Sequence, residues 1–315
     1  MEAVVNDKKA LGELDLLSAL KLMWKFKYLT LLGTLLSAGF SVWIALSIPN
    51  KYSSIAKLTL AEQDKTSSLA SMAGGLGSLA SMAGVNLGGK TDKSFYYSEL
   101  LKSKAFILPF IEKYELAPAL IAANGWDISS KELKFDPEVY DVDNKAWTRK
   151  VVYPFTNPPS DWELYEAFRR VVSFEYEKKS SLITVRANFY SPYFTRDVVT
   201  NLILEFNEKV RSEDIAEAQK SIAYLEKEIA KNNIVELNQL SYNLITENKK
   251  TLMLANIRDE YALKTIEPAI VVERKSGPKR AMICVGITLF GALLFISYPF
   301  IRLFTSEFAD KLKAS

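Results

Sequence analysis

Hydrophobic residues are concentrated in two long uncharged runs, one near each end of the chain. The first run covers residues 28–48 and the second covers residues 282–301, which is 21 and 20 residues. A helix of about 20 residues is roughly 30 Å long and matches the hydrocarbon thickness of a bilayer. Buried helices of soluble proteins seldom hold so many successive uncharged residues between charged flanks. The pattern therefore predicts two transmembrane helices with 233 residues between them.

The segment between these runs contains three stretches in which apolar and polar residues alternate. They are residues 51–62, 171–176 and 182–190. Alternation places the apolar side chains on one face and is typical of a half-buried β-strand. The polar stretch 178–181 separates the last two and predicts a hairpin turn. Apolar residues recur at helical spacing over residues 94–116, which predicts one helix there.

Residues 192–266 change to a helical period. In the first half the apolar positions are spaced 3, 4, 3 and 4 apart and form a seam, which consists of Ile215, Ala218, Ile222, Leu225 and Ile229. The second half gives Leu237, Leu240, Leu244, Leu254, Ile257 and Tyr261. The pattern predicts a long helix from Thr195, a break at Asn232–Asn233 and a return helix. Burial of so narrow a seam needs the return helix, a neighbouring subunit, or both.

Two prolines are candidate turn positions close to the second uncharged run. Pro268 is expected to end the return helix, after which Ile270 and Val272 would form a last strand. Gly277 and Pro278 predict a turn immediately before the membrane.

These elements together predict an α+β membrane protein. The domain over residues 49–281 lies between the two transmembrane helices. Its base, next to the membrane, is an α/β structure formed by residues 49–190 and 267–281. Residues 192–266 form a long helical hairpin.

The distribution of lysines around the first run indicates its orientation. Three lysines lie in residues 21–27, and two lie in residues 51–57. This excess favours a cytoplasmic N-terminus, and the first helix usually dominates although the charges around the second run point the other way. We therefore expect residues 1–27 and 302–315 in the cytoplasm and the domain outside it. The first run lacks a small-residue cleavage site, which predicts an uncleaved anchor.

The composition removes several classes of chemistry. The chain has a formal net charge of +3, no histidine and one cysteine, Cys284, inside the second run. The charge balance argues against nucleic-acid binding, and the absence of histidine excludes histidine-based catalysis and histidine metal sites. A single cysteine forms no intramolecular disulfide. We expect no catalytic residue, no metal and no cofactor.

Residues 66–89 carry no charge and consist mainly of Ala, Ser, Gly, Leu and Met, with SLASMAG occurring twice. Such a loop either lines a cavity or subunit contact, where small side chains allow close approach, or is simply flexible. Residues 84–91 match the P-loop pattern G-x-x-x-x-G-K-[ST]. A nucleotide-binding P-loop follows a buried strand, and none is predicted here, so we interpret the match as coincidental.

Residues 117–162 are rich in proline and contain Trp126, Trp147 and Trp162. Aromatic rings in such a segment either stack on sugars or form a small core under long loops, and both interpretations stay open. Residues 161–170 predict a short helix capped by Ser160 or by the first of its own residues.

Several segments, in this order, carry a family resemblance. They are ELDLLSALKLMWKFK (13–27), AGGLGSLASMAG (73–84), NKAWTRKVVYPFTNPPSDWELYEAF (144–168), SLITVRANFYSPYFTRDVVTNLILEFNEKV (181–210) and LITENKKTLMLANIRDEYALKTIEPAIVVERKSGPKRAM (244–282). Together they resemble the Wzz-type polysaccharide co-polymerases, the chain-length determinants of bacterial surface polysaccharides. That family typically has several prolines before the second span, where this chain has only Pro268 and Pro278.

The resemblance implies a non-enzymatic protein that forms a homo-oligomeric ring in the bacterial inner membrane, with its main domain in the periplasm. Such a protein would act with a polysaccharide polymerase on lipid-linked polysaccharide and set its length, as for O-antigen-like lipopolysaccharide. Some relatives continue into a cytoplasmic kinase. The sequence here stops after Ser315, so the kinase-free type is expected.

Three alternatives remain at the level of sequence. An inner-membrane adaptor for capsule or exopolysaccharide export would have a similar build. A sensor would need an output domain after the second span, where 14 residues follow. A glycan-cleaving enzyme would need a pair of carboxylates in a cleft, and nothing in the sequence singles one out.

Overall fold

The structure is a computed structural model and describes Trp24 and residues 26–61, 90–231 and 235–313, with side chains except at residues 90–92 and beyond 298. The expectations for residues 1–23, for the uncharged loop, for most of the P-loop match and for the break at Asn232–Asn233 lie outside the described residues. In chain order the elements are α1 (Lys27–Ser47), β1 (Tyr52–Leu60), α2 (Lys90–Lys102), α3 (Lys104–Lys113), α4 (Ala117–Ala122), β2 (Ala123–Trp126), β3 (Leu133–Phe135), β4 (Tyr140–Asp141), β5 (Ala146–Trp147), α5 (Asp161–Val171), β6 (Val172–Glu177), β7 (Leu182–Phe189), α6 (Pro192–Lys231), α7 (Val235–Ile257), β8 (Leu263–Glu267) and α8 (Arg280–Lys313).

Contacts divide the chain into two units. One contains residues 1–49 and 277–315, and the other contains residues 50–276. In the first unit, α1 and the part of α8 up to Tyr298 are long and apolar enough to cross a membrane. The first predicted span agrees with α1 to within one residue at each end. The helix α8 continues to Lys313, so most of the segment expected as a short tail is helical.

Small residues allow α1 and α8 to approach closely. A methyl group added at Gly33 would lie 2.4 Å from the ring of Phe295, and one added at Gly291 would lie 2.5 Å from Ser37. The Oγ of Ser41 lies 3.3 Å from the hydroxyl of Thr288. Successive contacts join later residues of α1 to earlier residues of α8, from Gly33 with Phe295 to Ser41 with Thr288. The two helices are therefore antiparallel. Close packing of this kind stabilises helix pairs in a bilayer, where burial of apolar surface adds little.

The second unit is built on a four-stranded antiparallel sheet with the order β6-β7-β1-β8. The three predicted strands are present, and residues 178–181 form the turn between β6 and β7. Tyr52 pairs with Phe189 at one end of the β1–β7 register, and Leu58 pairs with Ile183 near the other. Their alternation explains the sheet, because the buried positions of β7 are all apolar and those of β1 are Tyr52, Ala56 and Leu58 together with Ser54.

Helices cover this sheet with a core that is rich in phenylalanine. Phe110 of α3, Phe168 of α5 and Phe206 of α6 are among the largest fully buried side chains. The rings of Phe110 and Phe168 meet edge to face with centroids 5.9 Å apart. The first half of α6 lies in this core, whereas its second half packs along α7. One helix therefore joins the sheet to the helical hairpin.

The predicted single helix over residues 94–116 is wrong, because two helices occupy the segment. α2 ends at Lys102, and α3 begins at Lys104 after the extended residue Ser103. α3 ends with Glu115 in the left-handed conformation (φ 48°). The N–H of Leu116 donates to the carbonyl of Ile111, and the N–H of Glu115 donates to that of Glu112. These two bonds form a Schellman ending, which turns the chain sharply into α4.

The predicted last strand at Ile270 and Val272 is also wrong. The fourth strand is β8, which ends at Glu267 directly before Pro268. Pro268 therefore follows a strand and does not end a helix, since α7 already stops at Ile257. A proline donates no backbone hydrogen bond, so it cannot extend the pairing of β8 with β1.

Side chains of α6 hold the return segment between α7 and β8. The amide of Asn207 accepts hydrogen bonds from the N–H groups of Ala262 and Leu263, both at 2.8 Å. Its NH₂ group donates to the carbonyl of Leu263 at 3.0 Å. Arg211 donates to the carbonyls of Arg258 and Asp259 at 2.6 and 2.7 Å. These groups satisfy the backbone where the helix has ended, which fixes the position of β8.

Residues 117–162 are more regular than the sequence suggested. α4 is followed by two short hairpins, β2–β3 and β4–β5. Asp127 and Asp141 each accept hydrogen bonds inside the turn of one hairpin, from Ser129 N at 2.8 Å and from the Asn144 side chain at 2.7 Å. These bonds lower the pKa of both carboxyl groups. An aspartate side chain thus stabilises the turn of each hairpin.

The three tryptophans of this segment have different surroundings. Trp126 packs against Tyr52 and Tyr193, as expected of a small core. Trp147 is half-buried beside Tyr140. Trp162, on α5, is 58% exposed. The Oγ of Ser160 accepts the N–H of Glu163 and caps α5, which decides between the two predicted caps.

Candidate interaction site

The seam predicted on the first long helix lies on the second half of α6. Ala218 is buried with 2% exposure, and the other four members, Ile215, Ile222, Leu225 and Ile229, are half-buried. The helix α7 packs along α6 in this region. A hydrogen bond of 3.1 Å from Asn248 to Ser221 joins the two helices beside the seam. The seam is thus covered in part within one chain.

The positions expected on the return helix are mostly uncovered within one chain. The buried residues of α7 are Ser241, Ile245 and Ala255. Four members of the predicted pattern are exposed to solvent within one chain: Leu237, Leu240, Leu244 and Ile257, at 41%, 55%, 39% and 67%. Two series with spacing of three and four run along α7, and the one that faces α6 includes polar members such as Ser241 and Asn248. The sequence pattern favours the more hydrophobic series, which stays exposed to solvent within one chain.

Three of these residues form a surface that we call the leucine stripe: Leu237, Leu240 and Leu244. Their spacing of three and four places them on one side of α7. Exposed leucines are common singly, but an aligned set on a long amphipathic helix is typical of a contact surface. The stripe flanks the covered seam, so a second helix packed against it would extend the hairpin interface.

A pair of tyrosines lies where the hairpin meets the core. The hydroxyl of Tyr261 donates to a carboxylate oxygen of Asp214 at 2.6 Å. Burial raises the pKa of Tyr261 well above its usual range, and the hydrogen bond to Asp214 adds to this. Burial likewise raises the pKa of Tyr97, with a further contribution from the charge of Asp214. Both phenols are therefore neutral in the folded protein at physiological pH.

The two candidate turn prolines belong to different units. Pro268 is exposed and follows β8 in the unit of residues 50–276. Pro278 lies in the other unit, and its carbonyl accepts the N–H of Arg280 at 2.9 Å, at the start of α8. Each proline marks the boundary of an element. Among the residues that the structure describes, no group of three or more Cys, Asp or Glu side chains could hold a metal ion.

Comparisons with known proteins match one family, and the solved structures that resemble the chain include two polysaccharide co-polymerases. Residues 12–114 match the family described as "Wzz: Chain length determinant protein". A "full-length bacterial polysaccharide co-polymerase" shares 12% identity and a TM-score of 0.41, over 94% of this chain and 99% of that chain. A "Fragment of WzzB, Polysaccharide Co-polymerase from Salmonella Typhimurium" shares 14% identity and a TM-score of 0.32, over 72% of this chain and 100% of that chain. No curated protein sequence matches the chain.

Proposed function

We propose that this chain is a Wzz-type chain length determinant and that it sets the length of an O-antigen-like surface polysaccharide as an oligomeric scaffold, because residues 12–114 match that family. The observation that carries this proposal is the match of residues 12–114 to the family, in a chain with two helices able to cross a membrane. The proposed partner is the polysaccharide polymerase of the same membrane, which extends lipid-linked repeat units. The chain itself performs no catalysis in this scheme.

The leucine stripe supports the oligomeric part of the proposal. We assign a second copy of this chain as its occupant, because the stripe continues an interface that α6 and α7 already form. Fully burying one leucine side chain contributes about 1.5–3 kcal/mol, so three half-exposed leucines offer a substantial part of the free energy of a helix contact. Copies joined in this way would bring several polymerase contacts together in one assembly.

The proposed location is the bacterial inner membrane, with residues 50–276 in the periplasm. Two spanning helices return the chain to the side from which it started. The lysines before α1 favour a cytoplasmic start, so the folded unit between the helices lies on the opposite side.

Deletion of the gene, followed by complementation, tests the function directly. Surface polysaccharide from the wild-type, deletion and complemented strains is separated on a gel, and the distribution of repeat numbers is measured. The proposal expects the modal length to be lost on deletion and restored by the gene. Polymer of normal length that accumulates inside the deletion strain would contradict it and favour an export adaptor.

A further inference from the structure

A groove of about 590 Å³ lies between the end of α3, the start of α4, the β4–β5 hairpin and the start of α5. Two aromatic side chains, Tyr140 and Trp147, line one part of it, and the apolar residues Leu108, Ile111 and Leu164 lie beneath. All of these residues belong to the unit of residues 50–276. The groove has the size of a small-ligand site, with an apolar floor and polar groups at its rim.

The Trp147 ring is held in position from two sides. Tyr140 and Trp147 are paired across the hairpin, and their rings meet edge to face with centroids 4.9 Å apart. The guanidinium of Arg149 lies 5.8 Å from the centroid of the Trp147 ring. The Asn157 side chain donates to the carbonyl of Trp147 at 3.2 Å. An aromatic ring that is already fixed loses little conformational freedom when a ligand stacks on it.

Arg149 is the residue that fixes this arrangement. It is 8% exposed, and both of its terminal nitrogens donate to the carboxylate of Glu163, one of them at 2.8 Å. It also donates to the carbonyl of Thr156. This buried, two-pronged ion pair connects the end of the β4–β5 hairpin to α5, so the aromatic side of the groove is rigid.

The polar rim of the groove is made chiefly of carboxylates. Glu112, Glu115 and Asp161 line it together with one lysine, Lys145. All four residues are exposed, and within the described residues their side chains make no hydrogen bond to the protein. Their hydrogen-bonding capacity is available to a ligand. The excess of carboxylates disfavours an anionic ligand and favours one with hydroxyl or amino donors.

We propose that this groove binds a short, non-acidic segment of the polysaccharide, with a sugar ring stacked on Trp147 and Tyr140 and its hydroxyls donating to Glu112 and Asp161. Sugars combine C–H faces, which pack on aromatic rings, with hydroxyl groups, which bond to carboxylates. The assignment rests on the proposed function, because that function brings a glycan to this protein. It adds a direct contact with the polymer to a role that needs only scaffolding.

Binding is measured on the full chain in lipid nanodiscs. The probe is surface polysaccharide of the parent cells, released from its lipid by mild acid and labelled with a fluorophore at its reducing end. Trp147→Ala should weaken binding about tenfold, the loss typical of a central aromatic contact, and Trp147→Phe should retain most of it. Trp162→Ala is the matched control, because Trp162 is exposed on α5 and does not line the groove.

A second variant addresses the rim without touching the aromatic packing. The double change Glu112→Gln and Asp161→Asn should lower the thermal unfolding temperature by no more than about 2 °C, since Asp161 lies in the first turn of α5. It should weaken binding, since two charged acceptors become neutral amides. Unchanged or tighter binding by this variant overturns the proposal, and so does equal binding by Trp147→Ala and Trp162→Ala.

Failure of this inference is distinct from failure of the proposed function. If gene deletion changes the length distribution and the wild-type protein binds no labelled polysaccharide, the groove assignment is wrong and the regulatory role stands. If deletion leaves the distribution unchanged, the regulatory role is wrong, and the binding measurements still decide whether the groove takes a glycan.

Discussion

At the scale of single residues, Asn207 shows how one side chain locates an element that the pattern of hydrophobic residues does not. It is 4% exposed and satisfies two N–H groups and one carbonyl at the start of β8. Buried backbone groups without a partner are costly, so the return segment lies where Asn207 can reach it. The polar series that faces α6 from α7 illustrates the same principle through Asn248 and Ser221.

Replacing Asn207 by alanine should lower the free energy of unfolding by about 3 kcal/mol, because three buried backbone groups lose their partner. Chemical unfolding of the full protein in detergent measures this change. Asn256→Ala is the control, since the Asn256 side chain bonds only to the carbonyl of Leu252 in its own helix and is exposed. A loss at Asn207 no larger than at Asn256 would show that the return segment is held by other contacts.

The two tyrosines predict how stability depends on alkaline pH. Folding raises the pKa of Tyr97 and Tyr261, chiefly through burial, so the folded state favours the neutral phenols. An unfolded tyrosine ionises near pH 10, and the folded protein therefore loses stability as pH rises above about 10. Below about pH 10 both phenols are protonated in the folded and in the unfolded state, so they do not make the free energy of unfolding depend on pH.

The free energy of unfolding, measured between about pH 8 and pH 11, tests whether stability falls as the pH rises. Tyr261→Phe should reduce the alkaline loss of stability, because one of the two phenols no longer titrates. Tyr224→Phe, at an exposed position of α6, should leave the curve of the wild type unchanged. If the free energy of unfolding falls equally with pH in the wild type and both variants, groups other than Tyr261 cause the loss.

At the scale of elements, α6 and α7 carry two apolar surfaces with different partners. The seam is covered in part by α7 of the same chain and is half-buried, whereas the residues of the leucine stripe stay 39–55% exposed. A charge placed in a buried contact costs several kcal/mol, and a charge placed on an exposed surface costs little. Charges placed in the seam should therefore disturb folding, whereas charges placed in the leucine stripe should disturb assembly.

Changing Leu240 and Leu244 to Asp should abolish large oligomers and leave the unfolding temperature within about 2 °C of the wild type. Changing Ile222 and Leu225 to Asp should destabilise the chain itself by about 3 kcal/mol or more, with low expression and degradation. Size and mass in mild detergent measure assembly, and the polysaccharide ladder measures its consequence. If the variant of the leucine stripe stays fully oligomeric, the proposal that a second copy binds this surface is wrong.

Much of the sheet and of α6 could be predicted, because most of their buried or half-buried positions are hydrophobic. The alternation in β1 and β7 and the seam of α6 are examples. The sequence predicts the last strand too late in the chain, because Leu263 is the only buried residue of β8, whereas Ile270 and Val272 are residue types that favour strands. The groove could not be located, because Trp147, Glu112 and Asp161 meet only through the fold of α3, α5 and a hairpin.

At the scale of the whole molecule, the antiparallel pairing of α1 with α8 and the excess of lysines at the start of α1 together predict the membrane topology. A periplasmic alkaline phosphatase inserted into the exposed turn at residues 178–181 should be active, and a cytoplasmic reporter inserted there should be inactive. The same reporters fused after Ser315 should give the opposite result. Cytoplasmic activity from the turn insertion would reverse the proposed orientation of residues 50–276.

The hydrogen bonds of Ser276 to Lys51 close the folded unit at its two ends. The N–H and the hydroxyl of Ser276 donate to the carbonyl of Lys51 at 2.8 and 3.1 Å, although 225 residues separate them along the chain. A domain whose ends are neighbours tolerates circular permutation and transplantation. A linker of a few residues between positions 276 and 50 would join them, and new termini in the turn at 178–181 would leave the sheet pairing intact. The same unit could then be carried by any pair of antiparallel membrane helices.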